Sequence, residues 1–445
     1  MKRIYIPNYI YTDELIKKGY AVLIEDNIIA DIKSSEQLIS ENPDAEVIEW
    51  ADTVIVPGTI NAHNHSFQSL LRGIATDRPF LEWRENALYK FSPRMRIEDI
   101  YNGAVFAFSE MMKCGVTTVC DFFYLHNYGL ESDEAIVRAA KDVGIRLVIA
   151  RTMYDWDGAP EGYQETIEQA VSNTKALAKK YNGSDMVKII PAPHSLHAAS
   201  PEMIIAGHRL AKELGTGYHI HVAEEPFEVE ETKKNHNGMY TVEYLDSLGV
   251  VDESMSIIHG VWLKESEIKI LGDKGASLIY CPSSNMFLAD GITDIPLMMG
   301  SGVKIALGSD GACSNNRISV FEEMRMVSIL QKAKTCNAMA FNFMDSMKMG
   351  TSNGAEILGI KAGKLEIGYK ADFVAVSLKD LSMQPLSDSG EQLIPNLIYS
   401  MQPTAIKNVV INGNQTVKDG ELLTVNEDSI INQIKNTITH LERED

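Results

Sequence analysis

The chain has 445 residues, 45% of them apolar and 23% charged, which is ordinary globular composition and enough to bury a large core. A formal net charge of −20 excludes the basic surface that nucleic acid or an anionic membrane would need, so no nucleic acid and no membrane partner is expected. No run of about 18 apolar residues could cross a bilayer, and Lys2-Arg3 followed by Ile4-Tyr5-Ile6 is not a secretory leader, so the expected setting is the cytoplasm.

The five cysteines, Cys114, Cys120, Cys281, Cys313 and Cys336, are odd in number and widely spaced. They form neither a disulfide framework nor a zinc knuckle and are expected as buried thiols. A small-molecule substrate and a second copy of the chain, as a homo-oligomer, are the partners that remain.

Residues 1–56 alternate apolar and polar positions around turns: Ile4 to Ile6, Tyr20 to Glu25, the turn Asp26-Asn27, then Ile28 to Ile32. That pattern predicts a small antiparallel β unit. Next comes Val54-Ile55-Val56, closed by Pro57-Gly58 and continued to Ile60, which predicts a strand buried on both faces. The segment ends in His63-Asn64-His65. Residues two apart on a strand share a face, so these two imidazoles can converge on one cation. Two surface histidines in a loop are the alternative.

A mostly helical region follows to Gly115, and then apolar runs recur at Val116–Tyr124, Arg146–Met153, Val187–Ser195, Gly217–Glu224, Ser256–Leu263, Ser277–Ser284 and Val303–Asp310. Amphipathic segments such as Ser200–Leu214 separate them. With Val54–Ile60 this makes eight strand-helix units, the pattern of an α/β fold built as a (β/α)8 TIM barrel whose chemistry sits at the carboxyl ends of the strands. An open doubly wound sheet is the alternative. Beyond Lys361 short strands return at Gly363–Gly368, Ala371–Val376 and Lys407–Gly413, and Ser429–Asp445 reads as a polar helix. The expected organisation is a barrel over residues 57–360 and a small β-sandwich built from residues 1–56 and 361–445.

Ligand-type residues gather at the predicted strand ends: His63 and His65, His194, His219 and His221 with Glu224 and Glu225, His259, and Asp310 after Ser309. Six of the eleven histidines fall on that face. The other five, His126, His197, His208, His236 and His440, are expected mostly at the solvated surface. Three neutral imidazoles and a carboxylate make an N/O donor set for zinc, with iron as the alternative, and leave a position for water. Spacing alone does not choose between His219 and His221. No strand-end lysine suited to bridging two ions lies between the first and last ligands, so one divalent metal per chain is expected.

The set Pro57-Gly58, Asn61, His63, His65, His221, Glu224, His259 and Ser309-Asp310-Gly311 resembles the amidohydrolase superfamily, in its mononuclear deaminase branch with adenosylhomocysteine, guanine and triazine deaminases. The tail from Gly363 to Asp372 strengthens the resemblance, which runs almost the whole chain. It implies His63, His65, His221 and Asp310 as metal ligands, with Glu224, His259 and Asp310 catalytic. The implied activity is a metal-dependent hydrolytic deaminase that releases ammonia from an amidine-like carbon of a purine, pterin or nucleoside-type ring.

Other segments lean elsewhere. Trp83-Arg84-Glu85, Tyr124-Leu125-His126 and Pro193-His194-Ser195-Leu196 are similar to N-formimino-glutamate deiminases, which hold a substrate carboxylate through an arginine and a tyrosine. Arg151 to Asp155 and Ser284-Asn285-Met286 are similar to the adenosylhomocysteine type. His194, Arg84, Tyr124 and Arg151 are therefore the expected substrate contacts. Ser92-Pro93 stands where nucleoside deaminases of this type carry a ribose-binding glutamate, and His197 where the formimino enzymes carry an arginine. An N-formimino amino acid deiminase and a triazine-type chlorohydrolase are the alternative activities.

Overall fold

The computed structural model describes residues 1–443. Its middle holds eight parallel strands: β1 (Thr59–Asn64), β2 (Val116–Phe123), β3 (Arg146–Met153), β4 (Val187–Pro193), β5 (Tyr218–Val222), β6 (Met255–His259), β7 (Ser277–Tyr280) and β8 (Lys304–Leu307). They pair in sequential order as two four-stranded sheets, β1 to β4 and β5 to β8. Parallel neighbours need long crossovers, and helices supply them. One is Pro201–Leu214, started by Ser200, whose hydroxyl accepts from the Met203 amide, and stopped by Gly215 in the left-handed conformation. Helices on the outer face leave no polar face to the strands, so every residue of β2, β3, β5, β6 and β7 is buried.

The sheets approach each other at both edges. The His221 amide donates to the His194 carbonyl at 2.9 Å, beside a single bridge between Ser195 and His221, and the Asp310 amide donates to the His63 carbonyl at 3.1 Å. The ladders thus describe two sheets rather than the one expected ring, because pairing at these edges is carried by isolated bonds at the strand ends.

The expected first strand, Val54–Ile60, divides at Gly58. Glu46–Pro57 belongs to a sheet formed by the two ends of the chain, whereas Thr59 opens β1. A side chain at Gly58 would meet Thr117 at 2.2 Å, so the crossing of the two sheets needs glycine there.

The two ends of the chain share one hydrogen-bonded sheet of nine strands, with Glu46–Pro57 between Lys2–Thr12 and Phe373–Ser377. Its direction is a correction: the sheet is mixed rather than antiparallel, since Lys2–Thr12 pairs in parallel with Glu46–Pro57. Apolar alternation marks strands but carries no partner or direction. Tyr5 and Trp50 each pack edge to face on Phe373 and lie tilted against one another, in a cluster with Ile24, Ile55 and Val410.

The last helix, expected from Ser429, runs Glu427–Leu441 and buries Ile430, Thr437 and Leu441; the expected end at Asp445 lies outside the described residues. No helix among the described residues is long and apolar enough to cross a membrane. Cys120, Cys281 and Cys313 are buried as expected, whereas Cys336, which ends the helix Val320–Thr335, is exposed.

Candidate active site

β1 runs on past Asn64 to His65, and the alternation of the backbone turns His63 and His65 inward together, their rings 4.7 Å apart. His221 near the end of β5, His259 at the end of β6 and Asp310 after β8 meet them. His221 Nε2 lies 3.3 Å from His63 Nε2, and Asp310 Oδ1 lies 3.4 Å from His65 Nε2 and 3.6 Å from His63 Nε2. Two overlapping groups could hold an ion, His63 with His65 and His221, and His63 with His259 and Asp310. A tetrahedral ion with bonds of 2.0–2.1 Å would set its ligands about 3.3–3.4 Å apart, close to the spacing found. The donor set fits a metal.

The electrostatics fit as well. Burial holds His63 down to about 3 and lowers His65 and His221, so the imidazoles are neutral and keep a lone pair to offer. Burial works to raise Asp310, but its hydrogen bond with His63 and the neighbouring His65, His63 and His259 rings outweigh it and hold the carboxyl well below its ordinary range. Outer contacts fix these side chains. His65 Nδ1 lies 2.6 Å from the Phe122 carbonyl and His221 Nδ1 3.0 Å from that of His194, while Ser284 Oγ donates to Asp310 Oδ2 at 2.7 Å.

The backbone bends where these residues leave their strands. Ala223, His259 and Asp310 have φ of 51°, 71° and 60°. Non-glycine residues in that region each cost on the order of 1 kcal/mol, and surrounding contacts must hold them there.

Glu224 faces the same space, its Oε1 3.3 Å from His259 Nε2. Burial first, then the carboxyl groups of Asp290 and Asp310, raise its pKa well above the ordinary value. His219 is also buried but sits two residues deeper on β5, where its Nδ1 lies 3.7 Å from Cys120 Sγ. Depth along the strand is what separates it from His221.

Residues 54–416 match the amidohydrolase family. The chain is 35% identical over 435 residues to a 5-methylthioadenosine/S-adenosylhomocysteine deaminase of Syntrophomonas wolfei, covering 97% of this chain and 96% of that one. It is 32% identical to a 5'-deoxyadenosine deaminase of Methanosphaera stadtmanae, covering 94% of each. The chain belongs to the amidohydrolase family. It is a hydrolase acting on non-peptide C–N bonds. In fold, this amidohydrolase superposes with a TM-score of 0.90 on a zinc-bound adenosine deaminase from Xanthomonas campestris, at 24% identity over 99% of this chain and 98% of that one. An atrazine chlorohydrolase from Arthrobacter aurescens complexed with zinc superposes with a TM-score of 0.89, at 21% identity over 98% and 100%.

A cavity opens from the metal-type residues and is walled mainly by aromatic rings, among them Phe80, Trp83, Tyr89, Tyr124, Tyr154 and Tyr163. His194 lines it, stacked on His221 at 4.8 Å and 28°. Tyr124 lines it too, with its hydroxyl accepting from Gln68 Nε2 at 2.9 Å. Arg84 stands at the wall, 4.7 Å from the Tyr89 ring and 2.8 Å from Glu85 Oε1. Ser92, at the position of the missing glutamate, is buried and bonded to the Tyr163 hydroxyl at 2.6 Å.

Arg151 is a correction: it is not at the cavity. It is wholly buried, with Nη1 and Nη2 on Glu165 at 2.7 and 2.9 Å and Nε on Asp133 Oδ2 at 3.1 Å. Residue 151 lies on the face of β3 turned to the helix Leu130–Val143, which carries Asp133. Among the five remaining histidines, His126 and His208 are buried and the other three only partly exposed, against the surface expected for most; His126 joins the Arg151 cluster and His208 pairs with Asp252 at 2.8 Å.

Sequence reasoning gave no role to Asp121, whose carboxylate accepts from the Ser66 amide and hydroxyl at 2.7 and 2.6 Å and so fixes the turn after His65. Its signal was a lone acid inside the apolar run of β2. Burial pushes its pKa up to about 7, with the Ser66 bonds opposing.

Proposed function

We propose that this amidohydrolase is a hydrolytic deaminase holding one divalent metal, zinc or iron, on His63, His65, His221 and Asp310. The observation that carries the reading is a buried Glu224, its Oε1 3.3 Å from His259 Nε2, set beside a four-donor cluster at the base of an aromatic cavity. A divalent ion in such a site supplies hydroxide at neutral pH by lowering the pKa of a water to about 7. The side chains supply the rest. The aromatic walls stack a flat nitrogenous ring and exclude water from it. Glu224 delivers its proton to the ring nitrogen next to the amino-bearing carbon as the C–O bond forms. Asp310 takes the proton of the attacking water and passes it to the amino group, and the C–N bond breaks to release ammonia. His259 donates a hydrogen bond that orients the nucleophile, and His194 meets the ring from above His221.

Relatives named for adenosine-type substrates favour a nucleoside-like ring. Arg84 favours a second reading, an N-formimino amino acid whose carboxylate reaches the guanidinium near Tyr124. We further take the two sheets as halves of one (β/α)8 barrel over residues 57–360, with residues 1–56 and 361–445 as the smaller unit. The test of function is ammonia release screened over nucleosides, free bases, pterins and formimino amino acids. Chloride released from chlorotriazines in place of ammonia would assign the chlorohydrolase activity instead.

A further inference from the structure

His259 is held from behind by the segment that follows β7. Asn285, in the helix Pro282–Phe287, is fully buried; its Nδ2 lies 3.1 Å from His259 Nδ1 and 3.0 Å from Asp290 Oδ2. Thr293, also fully buried, donates its hydroxyl to the His259 carbonyl at 2.9 Å. The Thr293 carbonyl in turn accepts from Gln331 Nε2 at 3.0 Å. Ring and backbone of His259 are thus fixed from one segment, at a residue whose φ of 71° needs holding.

The hydrogen-bond inventory decides which ring nitrogen carries the proton. Asp290 Oδ2 accepts from Asn285 Nδ2 at 3.0 Å. The Asn285 amide must therefore present its NH2 to Asp290, and the same NH2 meets His259 Nδ1. Nδ1 then accepts, and the neutral ring carries its proton on Nε2, the atom 3.3 Å from Glu224 Oε1.

Resting on the deaminase reading for the role of His259, we infer that Asn285 is a positioning residue that locks His259 in the Nε2–H tautomer, making the ring a hydrogen-bond donor toward Glu224 and the nucleophile instead of a fifth metal ligand. A protonated Nε2 has no lone pair to give, which separates His259 from His63, His65 and His221 although all four are buried in one cluster.

The test is a long-range proton–nitrogen spectrum of zinc-loaded protein labelled with 15N-histidine, the His259 signals being assigned by their loss in His259→Gln. The expected result is an Nε2–H pattern in wild type. In Asn285→Asp, whose carboxylate accepts from Nδ1, the proton moves to Nδ1, the zinc content is unchanged, and kcat falls by about 10²-fold with little change in KM. An Nδ1–H or metal-bound Nε2 pattern in wild type overturns the inference, and so does a tautomer unmoved in folded Asn285→Asp. The wild-type spectrum decides the matter even if the variant does not fold. A wrong substrate class would leave the spectrum intact while the ammonia screen failed, so the two failures are distinguishable.

Discussion

Two buried polar clusters lie toward the carboxyl ends of the parallel strands, and they are built on opposite principles. Around Arg151, donors meet acceptors: the guanidinium is spread over Asp133 and Glu165, with His126 and Asn173 completing the contacts. Around His63 no arginine or lysine enters: three imidazole nitrogens and a carboxylate oxygen crowd within 3.3–3.6 Å of one another. A cluster that holds its own cation stabilises the fold, whereas one without a cation has donors that could hold a bound ion. Burial and charge count do not tell them apart. A built-in guanidinium does.

The largest effect that would break this comparison is at the ligands. His63→Ala or Asp310→Ala should abolish activity and drop the metal from about one ion per chain to near none, the expectation for a mononuclear site with four ligands. Elemental analysis that finds two tightly held ions, or full activity after exhaustive chelation, would show that the cluster is not a single metal site.

Glu224 sharpens the contrast within the site, since it faces the cluster without belonging to it. Glu224→Gln keeps size and burial but removes the proton carrier, so the turnover rate should fall by about 10²–10⁴ while the metal stays. Metal lost from this variant would make Glu224 a ligand.

The Arg151 cluster should respond in stability and not in chemistry. Arg151→Met leaves Asp133 and Glu165 buried without their cation, which should cost about 3–5 kcal/mol in a denaturant titration at pH 7 and leave kcat of the folded fraction close to wild type. A selective loss of substrate affinity would instead return Arg151 to the binding site. Its pH dependence has a definite sign. Burial works to raise Glu165, but the Arg151 hydrogen bond and the His126 and Arg151 charges outweigh it and hold the pKa below its ordinary value. That contribution is present above the unfolded carboxyl value of about 4.3 and is lost as pH falls through the folded value. The stability gap between wild type and Arg151→Met should therefore narrow below about pH 4.

The smallest effect tests the cation that does reach the cavity. Arg84 is shared with Glu85 and stacked on Tyr89. If it holds a substrate carboxylate by a charge-assisted bond of about 1.5–3 kcal/mol, Arg84→Met should lower kcat/KM roughly 10–150-fold for the anionic substrate. The amide of that substrate should be nearly indifferent. Equal losses on both would assign Arg84 a structural role in the wall.

Strand periodicity marked seven of the eight parallel strands and the face on which their ends gather, because burial on both sides writes itself as short apolar runs; the first, expected at Val54–Ile60, runs Thr59–Asn64. His63, His65, His259 and Asp310 were visible for the same reason, as polar residues interrupting apolar sequence, whereas the pattern marked His219 and His221 alike and only the family resemblance chose His221. Gly58 was visible as a turn, but only the approach of Thr117 explains why the strand must divide there. The pairing of Lys2–Thr12 in parallel with Glu46–Pro57 was not legible, since alternation fixes which face a side chain takes and is silent on which strand lies alongside. Arg151 makes the same point at one residue. Sequence placed it near a strand end, and only the helix packed against β3, with Asp133 waiting on it, decided that the guanidinium turns outward into a closed ion cluster and away from the cavity.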